Sequence, residues 1–201
     1  MPYHSIDEIL RRCRDRACPF WQVVLTTQAK ETQLPESAVL DQMDQMAKAM
    51  EDSITQYDPT AVTTGKMGGQ NGARLAEYNQ KGDTLLGDYL SAVIAAAVQV
   101  AESNACMKRI VAAMAAGGLV YLAGGDNNAI AQGAAMALKN MLGLVCDPVA
   151  GLVETPCIKR NAAGAANAVV AAQMALAGIQ SVIPPDEIID AMYEIGCQLP
   201  A

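Results

Sequence analysis

Ala162-Ala163-Gly164-Ala165-Ala166-Asn167-Ala168-Val169-Val170-Ala171-Ala172-Gln173-Met174-Ala175-Leu176-Ala177 carries no charge, no aromatic ring and no proline, and Gly178 follows it. Alanine gives up no side-chain entropy in a helix and has little to offer a strand. The stretch therefore predicts a helix over 162–177, stopped by Gly178. Downstream, Pro184-Pro185-Asp186 starts a final helix with Ile188, Ile189, Met192 and Ile195 on one face and Gly196 at its end. Upstream, Asp126 is placed to cap a helix through Ala137-Leu138 that ends at Gly143, with Lys139 complementing the dipole in the last turn.

The same reading extends to the amino end. Asp88 to Ala113 is almost uncharged through its middle and predicts one long helix buried on most sides. Gly117-Gly118 and Gly124-Gly125 bracket a short apolar piece, read as a turn and a second short helix. Ser5-Ile6-Asp7-Glu8 is a capping box opening a helix with Ile6, Ile9, Leu10 and Cys13 on its apolar side. Pro19 interrupts, and the pattern leaves the type of the apolar stretch at Val23-Val24-Leu25 open. After Pro35, the residues Val39, Met43, Met46, Met50 and Ile54 form a helical stripe expected to face the core, and Asp58-Pro59 ends it. No segment alternates with a period of two for long, and no repeat or low-complexity linker divides the chain. Hydrophobic residues make up 52% of the 201 residues but aromatics only 4%, a mixture suited to close-packed helices. The expected fold is all-α, a single-domain helical bundle over 1–201.

Charge excludes several functions. The net charge of −7 argues against binding nucleic acid or an anionic membrane surface, which need basic patches. The uncharged run from Ile110 to Gly125 is shorter than the roughly 20 residues a membrane span requires and contains four glycines. Met1-Pro2-Tyr3-His4 leads into charged residues, so no secretory leader is expected. A cytoplasmic setting with reduced thiols fits the six cysteines. Cys13 and Cys18, among Arg11, Arg12, Arg14 and Arg16, read as structural. His4, the single histidine, reads as a solvated neighbour of the first helix cap, which leaves no histidine-based catalysis.

Chemistry concentrates in Cys146-Asp147-Pro148-Val149-Ala150-Gly151-Leu152-Val153-Glu154-Thr155-Pro156-Cys157-Ile158-Lys159-Arg160-Asn161. Two prolines and a glycine predict a shaped loop between a helix C-terminus and a helix that starts after an Asn161 cap. A helix N-terminus lowers thiolate pKa, which suits metal ligation. The ten-residue gap between the thiols is wider than the tight pairs of most zinc sites, so spacing alone also allows two unrelated core cysteines, or a small zinc or redox site. A second candidate is the glycine-rich loop Val62 to Gly72, with Thr63, Thr64, Lys66, Gln70 and Asn71 as polar equipment. Its glycines admit close approach of backbone amides to an anion, and a plain surface turn is the alternative.

The string Leu138-Lys139-Asn140-Met141-Leu142-Gly143-Leu144-Val145-Cys146-Asp147-Pro148-Val149-Ala150-Gly151-Leu152-Val153-Glu154, with Pro156-Cys157 and Lys159-Arg160-Asn161, closely resembles the iron-sulfur-dependent L-serine dehydratases, in particular their alpha chain or catalytic domain. Ala175-Leu176-Ala177-Gly178-Ile179, Pro185 to Tyr193, and Gly65-Lys66-Met67-Gly68-Gly69 with Leu75 and Tyr78 continue the agreement. The resemblance implies a lyase of amino-acid degradation and gluconeogenesis that converts L-serine to pyruvate and ammonia by β-elimination of water. It implies a 4Fe-4S cluster with Cys146 and Cys157 as two ligands. It also implies a substrate site drawing on Thr64, Lys66, Gly68, Gly69, Arg160 and Asn161, a beta chain as partner, and a homo- or hetero-oligomer. No residue is singled out as the catalytic base.

The likeness has a gap near 113–118. There the family carries several dozen more residues, including a Pro-Thr-Ala-Gly-Ser stretch and a third cysteine ligand; its glycine-rich tail also has no match before Pro200-Ala201. Cys106 and Cys197 are the candidates to replace the third ligand. An inactive helical remnant acting through protein–protein interaction is the alternative function. No lysine in a strand-loop setting supports pyridoxal-phosphate chemistry.

Overall fold

The computed structural model describes residues 4–56, 71–82, 87–104, 110–144 and 155–198. Among them lie nine α-helices and no strand, as the alanine-rich sequence predicts.

Helix α1 (Ile6–Arg16) begins at Ser5, whose extended backbone lets Oγ accept from the Glu8 N–H at 3.0 Å. A second cap comes from the far end of the chain: the Asp186 carboxylate accepts from the N–H groups of Ile6 (2.6 Å) and Asp7 (3.1 Å). Ala17, in the left-handed region, ends the helix. Helix α2 (Phe20–Thr32) resolves the ambiguous stretch around Val23. Val23 packs with Ile9 and Cys13 of α1, whereas Leu25 and Ala29 pack with Val39. Residues two apart lie about 200° apart around a helix, so α2 is buried on two opposite sides and shows no single stripe. Asn127 clamps its start, accepting from Phe20 N–H (2.8 Å) and donating to the Cys18 carbonyl (3.1 Å).

Helix α3 (Glu36–Thr55) departs from expectation. Val39 is buried, but Met43 and Met46 are each 55% exposed, and the side chains of Met50 and Ile54 lie outside the described residues. The pattern is helical, but among the described elements α3 packs on α2 and α5, and neither covers Met43 and Met46.

Helix α4 (Asn71–Gln80) packs on α5 (Gly87–Asn104). α5 buries Ser91, Ala95 and Val98, spaced by four and three on one side, while Tyr89 and Ala92 are exposed. Of the long helix expected over 88–113, residues 105–109 lie outside the described residues; over 87–98, α5 buries one stripe rather than most of its surface.

The centre of the molecule is α6 (Ile110–Leu122), α7 (Asn127–Lys139) and α8 (Thr155–Leu176), each packed on the other two. Ala116, Val120, Ile130, Met136, Ala137, Ala168, Ala171, Ala172 and Ala175 form its core. The break expected at Gly117-Gly118 does not occur: α6 runs straight through. Gly117 sits there because the axes are close, a Cβ at that position meeting Ile130 Cγ2 at 3.4 Å. Gly133 of α7 is tighter, with Val120 Cγ2 3.0 Å from where its Cβ would be. Asp126 caps α7 as expected, accepting from Ala129 N–H at 2.7 Å. Helix α9 (Pro185–Cys197) packs on α1 and α7, with Ile188 buried. Among the described residues, no helix is long and apolar enough to cross a membrane.

Candidate functional site

Helix α8 starts seven residues before the helix the sequence predicts. Proline is tolerated in a first helical turn, where its missing N–H needs no partner, and Thr155-Pro156 uses that freedom. Two readings change as a result. Cys157 belongs to the first turn of α8 rather than to a loop. Asn161 lies inside the helix and is not its cap; its Nδ2 instead donates to the Cys157 carbonyl at 3.0 Å. That bond turns Asn161 back along the helix towards the first turn.

The Cys157 thiol is half-buried and forms no disulfide. Its position places it in the positive field of the α8 N-terminus, the setting that favours a thiolate. Next to it, Ile158 is buried against Val98 of α5, with Leu75 and Ala162 packed alongside. A cavity of about 330 Å³ opens over this cluster, lined by Asn71, Arg74, Leu75, Val98, Ile158, Lys159 and Ala162. Its floor is apolar and its charged lining is the pair Arg74 and Lys159. Arg160 is half-buried on the same helix.

Cys146, Thr64, Lys66, Gly68 and Gly69 lie outside the described residues. Asn71 and Gly72, expected to close the glycine-rich loop, belong instead to α4, and Asn71 lines the cavity; the rest of that loop lies outside the described residues. Among the described residues no three His, Cys, Asp or Glu side chains gather into a group that could hold a metal. Cys197 is exposed at the end of α9, which packs on α1 and α7 and not on the elements that line the cavity. Cys106 lies outside the described residues. Cys13 is buried at 3% exposure in the α1–α2 core; burial, and then the neighbouring Cys18, push its thiol pKa up. It is a packing residue, in keeping with the structural role expected for it. Sequence reasoning passed over Arg74, which sits outside the glycine-rich loop. The spacing of Asn71, Leu75 and Tyr78 by four and three was the available signal that the chain is already helical there.

Cys157 thus lies half-buried in the first turn of α8, next in sequence to Ile158 and Lys159, which line a small cavity on an all-helical scaffold. The serine dehydratase alpha chain family model matches residues 15–113 and 111–201, and the chain belongs to that family, one of lyases. The L-serine dehydratase alpha chain of Peptoniphilus asaccharolyticus is 29% identical over 253 residues, covering 94% of this chain and 87% of that one. A probable L-serine dehydratase alpha chain of Bacillus subtilis (strain 168) is 66% identical over 87 residues, 43% of this chain and 29% of its own length. The probable L-serine dehydratase alpha chain of Latilactobacillus sakei is 56% identical over 89 residues, 44% of this chain and 43% of that one. Two of these three matches thus span less than half of the relative. The two segments of the family match meet at 111–113, in the first turn of α6.

Proposed function

We propose that this chain is the alpha chain of an L-serine dehydratase, converting L-serine to pyruvate and ammonia. The carrying observation is Cys157 in the first turn of α8, beside the cavity, in a chain whose family match runs through both. In the reaction the Cα–H and Cβ–O bonds break and Cα=Cβ forms, so that a proton and hydroxide leave as water. The resulting enamine tautomerises to an imine, and water releases ammonia from it to give pyruvate. No electrons are gained or lost overall.

A 4Fe-4S cluster is implied by the family, and the donor chemistry fits: Cys157 presents a thiol at a helix N-terminus, and Cys146 supplies a second thiol ten residues before it in sequence. When bound, such a cluster supplies a Lewis acid that makes the substrate hydroxyl a better leaving group. The chain's residues then have separate tasks. Cys157 and Cys146 anchor the group. Asn161, tied to the Cys157 carbonyl, keeps the first turns of α8 in one geometry. The glycine-rich loop with Thr64, Lys66, Gly68 and Gly69, together with Arg160, completes the substrate site. The apolar floor of Leu75, Val98, Ile158 and Ala162 limits water, which strengthens electrostatic contacts in the site.

The family's third cysteine ligand has no counterpart in this sequence, and a beta chain is the expected partner in a cytoplasmic hetero-oligomer. The isolated chain is therefore expected to turn over slowly. The test is anaerobic incubation with iron and sulfide, then measurement of pyruvate and ammonia from L-serine, with and without a beta chain. The expected result is pyruvate with the beta chain and a rate lower by about a hundredfold or more without it, since each missing stabilising element typically supplies a few kcal/mol. A protein that binds iron and sulfide yet makes no pyruvate in either arm would refute the reading.

A further inference from the structure

The cations that rim the cavity are placed where local physics disfavours them. A helix carries a partial positive charge at its N-terminus, so acidic residues belong in the first turn and basic ones in the last. Helix α1 obeys this rule, with Asp7 and Glu8 at its start and Arg14 and Arg16 at its end. Helices α4 and α8 do not follow it. Neither has an acidic residue in its first turn, Arg74 is the fourth residue of α4, and Lys159 is the fifth residue of α8. The two helices meet at one cavity, so Arg74 and Lys159 share the same space with Asn71 at the start of α4.

Among the described residues that line that space none is a carboxylate, although the chain as a whole has 21 Asp and Glu against 14 Lys and Arg. Arg12 pairs with Glu8 and Lys81 with Glu77, whereas among the described residues Arg74 and Lys159 take part in no ion pair. An amide, Asn71, and an apolar floor complete the walls. A volume of about 330 Å³ is at the lower end of small-ligand pockets.

We propose that Arg74 and Lys159 bind the carboxylate of a three-carbon amino or keto acid, with the rest of the ligand resting on Leu75, Val98, Ile158 and Ala162. This rests on the serine dehydratase reading for the identity of the ligand and adds the two residues that hold its acid group. Arg74 offers a planar fork that can grip both carboxylate oxygens, and Lys159 a point charge.

The probe is L-alanine, which shares the carboxylate and amine of L-serine but has no hydroxyl to eliminate. Calorimetric titration of the full-length chain should show binding of L-alanine and little of L-alaninamide, which lacks the anion. Arg74→Gln and Lys159→Gln should each weaken L-alanine binding about tenfold or more, the loss expected for one charge-assisted hydrogen bond. Lys81→Gln, just past the end of α4, away from the cavity lining and paired with Glu77, should bind as the unaltered protein does. Circular dichroism spectra checked against that protein keep misfolding from passing for lost binding; both substituted residues are exposed.

L-alanine binding unchanged in Arg74→Gln and Lys159→Gln, equal binding of the amide, or no L-alanine binding at all would overturn the assignment. None of these outcomes depends on the cluster or on turnover. Carboxylate binding that requires Arg74 and Lys159, in a protein that makes no pyruvate, would instead keep the pocket and remove the dehydratase reading.

Discussion

The two halves of α8 put one sequence style to opposite uses. In the C-terminal half, Ala168, Ala171, Ala172 and Ala175 are sealed against α6 and α7, and Ala171 has no exposed surface. In the N-terminal half, Ile158 and Ala162 meet α4 and α5 around an open cavity, with Cys157, Lys159 and Arg160 on the same turns. Small side chains close the first interface and leave space in the second. What decides is the partner: α7 brings Gly133 against Ala175, whereas α4 and α5 bring Arg74, Leu75 and Val98. Close packing at one end of the helix fixes the position of Cys157 at the other.

The contrast is sharpest in paired substitutions. Ala171→Leu forces a larger side chain into a filled core and should cost about 1–3 kcal/mol or more, read as a lowered urea midpoint. Ala162→Leu, at the cavity, should change stability by less than about 0.5 kcal/mol while reducing L-alanine binding. Equal stability losses in the two variants would erase the distinction between the halves. A smaller effect tests the periphery: Asp186→Ala removes the carboxylate that caps α1 from α9 and should cost about 1 kcal/mol, again read by urea unfolding.

The thiols extend the comparison to pH. Because the folded Cys13 pKa is raised by burial and then by Cys18, its contribution to stability is complete below the unfolded value of about 8.5. It is lost as pH rises through the higher folded value. The urea midpoint should therefore fall on the alkaline side, and Cys13→Ala should flatten that fall. Glu8 works in the other direction and more weakly. The His4 N–H and then Arg12 lower its pKa, so its contribution is present above the unfolded value of about 4.3. It disappears as pH falls through the folded one, and Glu8→Gln should be silent only in acid.

Much of the fold is legible in the sequence where one residue does one local job. Ser5 and Asp126 cap the helices they precede, Gly178 stops α8, and alanine content gives the all-α class. The reading fails where tertiary contacts set the outcome. Two buried sides hide the periodicity of α2. Gly117-Gly118 serves close packing and not a turn. The methionines of α3 follow a core pattern with nothing over Met43 and Met46. At the site, the motif around Cys157 is legible, but Pro156 conceals a helix start and so makes Asn161 look like a cap. Arg74 gains its meaning only when α4 folds beside α8, 85 positions away in sequence from Lys159.

The role proposed for Cys157 is to anchor an iron-sulfur cluster at the start of α8. The direct measurement is protein-bound iron and sulfide after anaerobic reconstitution of the unaltered chain, Cys157→Ser and Cys197→Ser. The account predicts a brown protein for the unaltered chain and for Cys197→Ser, and loss of bound iron and sulfide in Cys157→Ser. Cys157→Ser retaining as much iron and sulfide as the unaltered chain would contradict it.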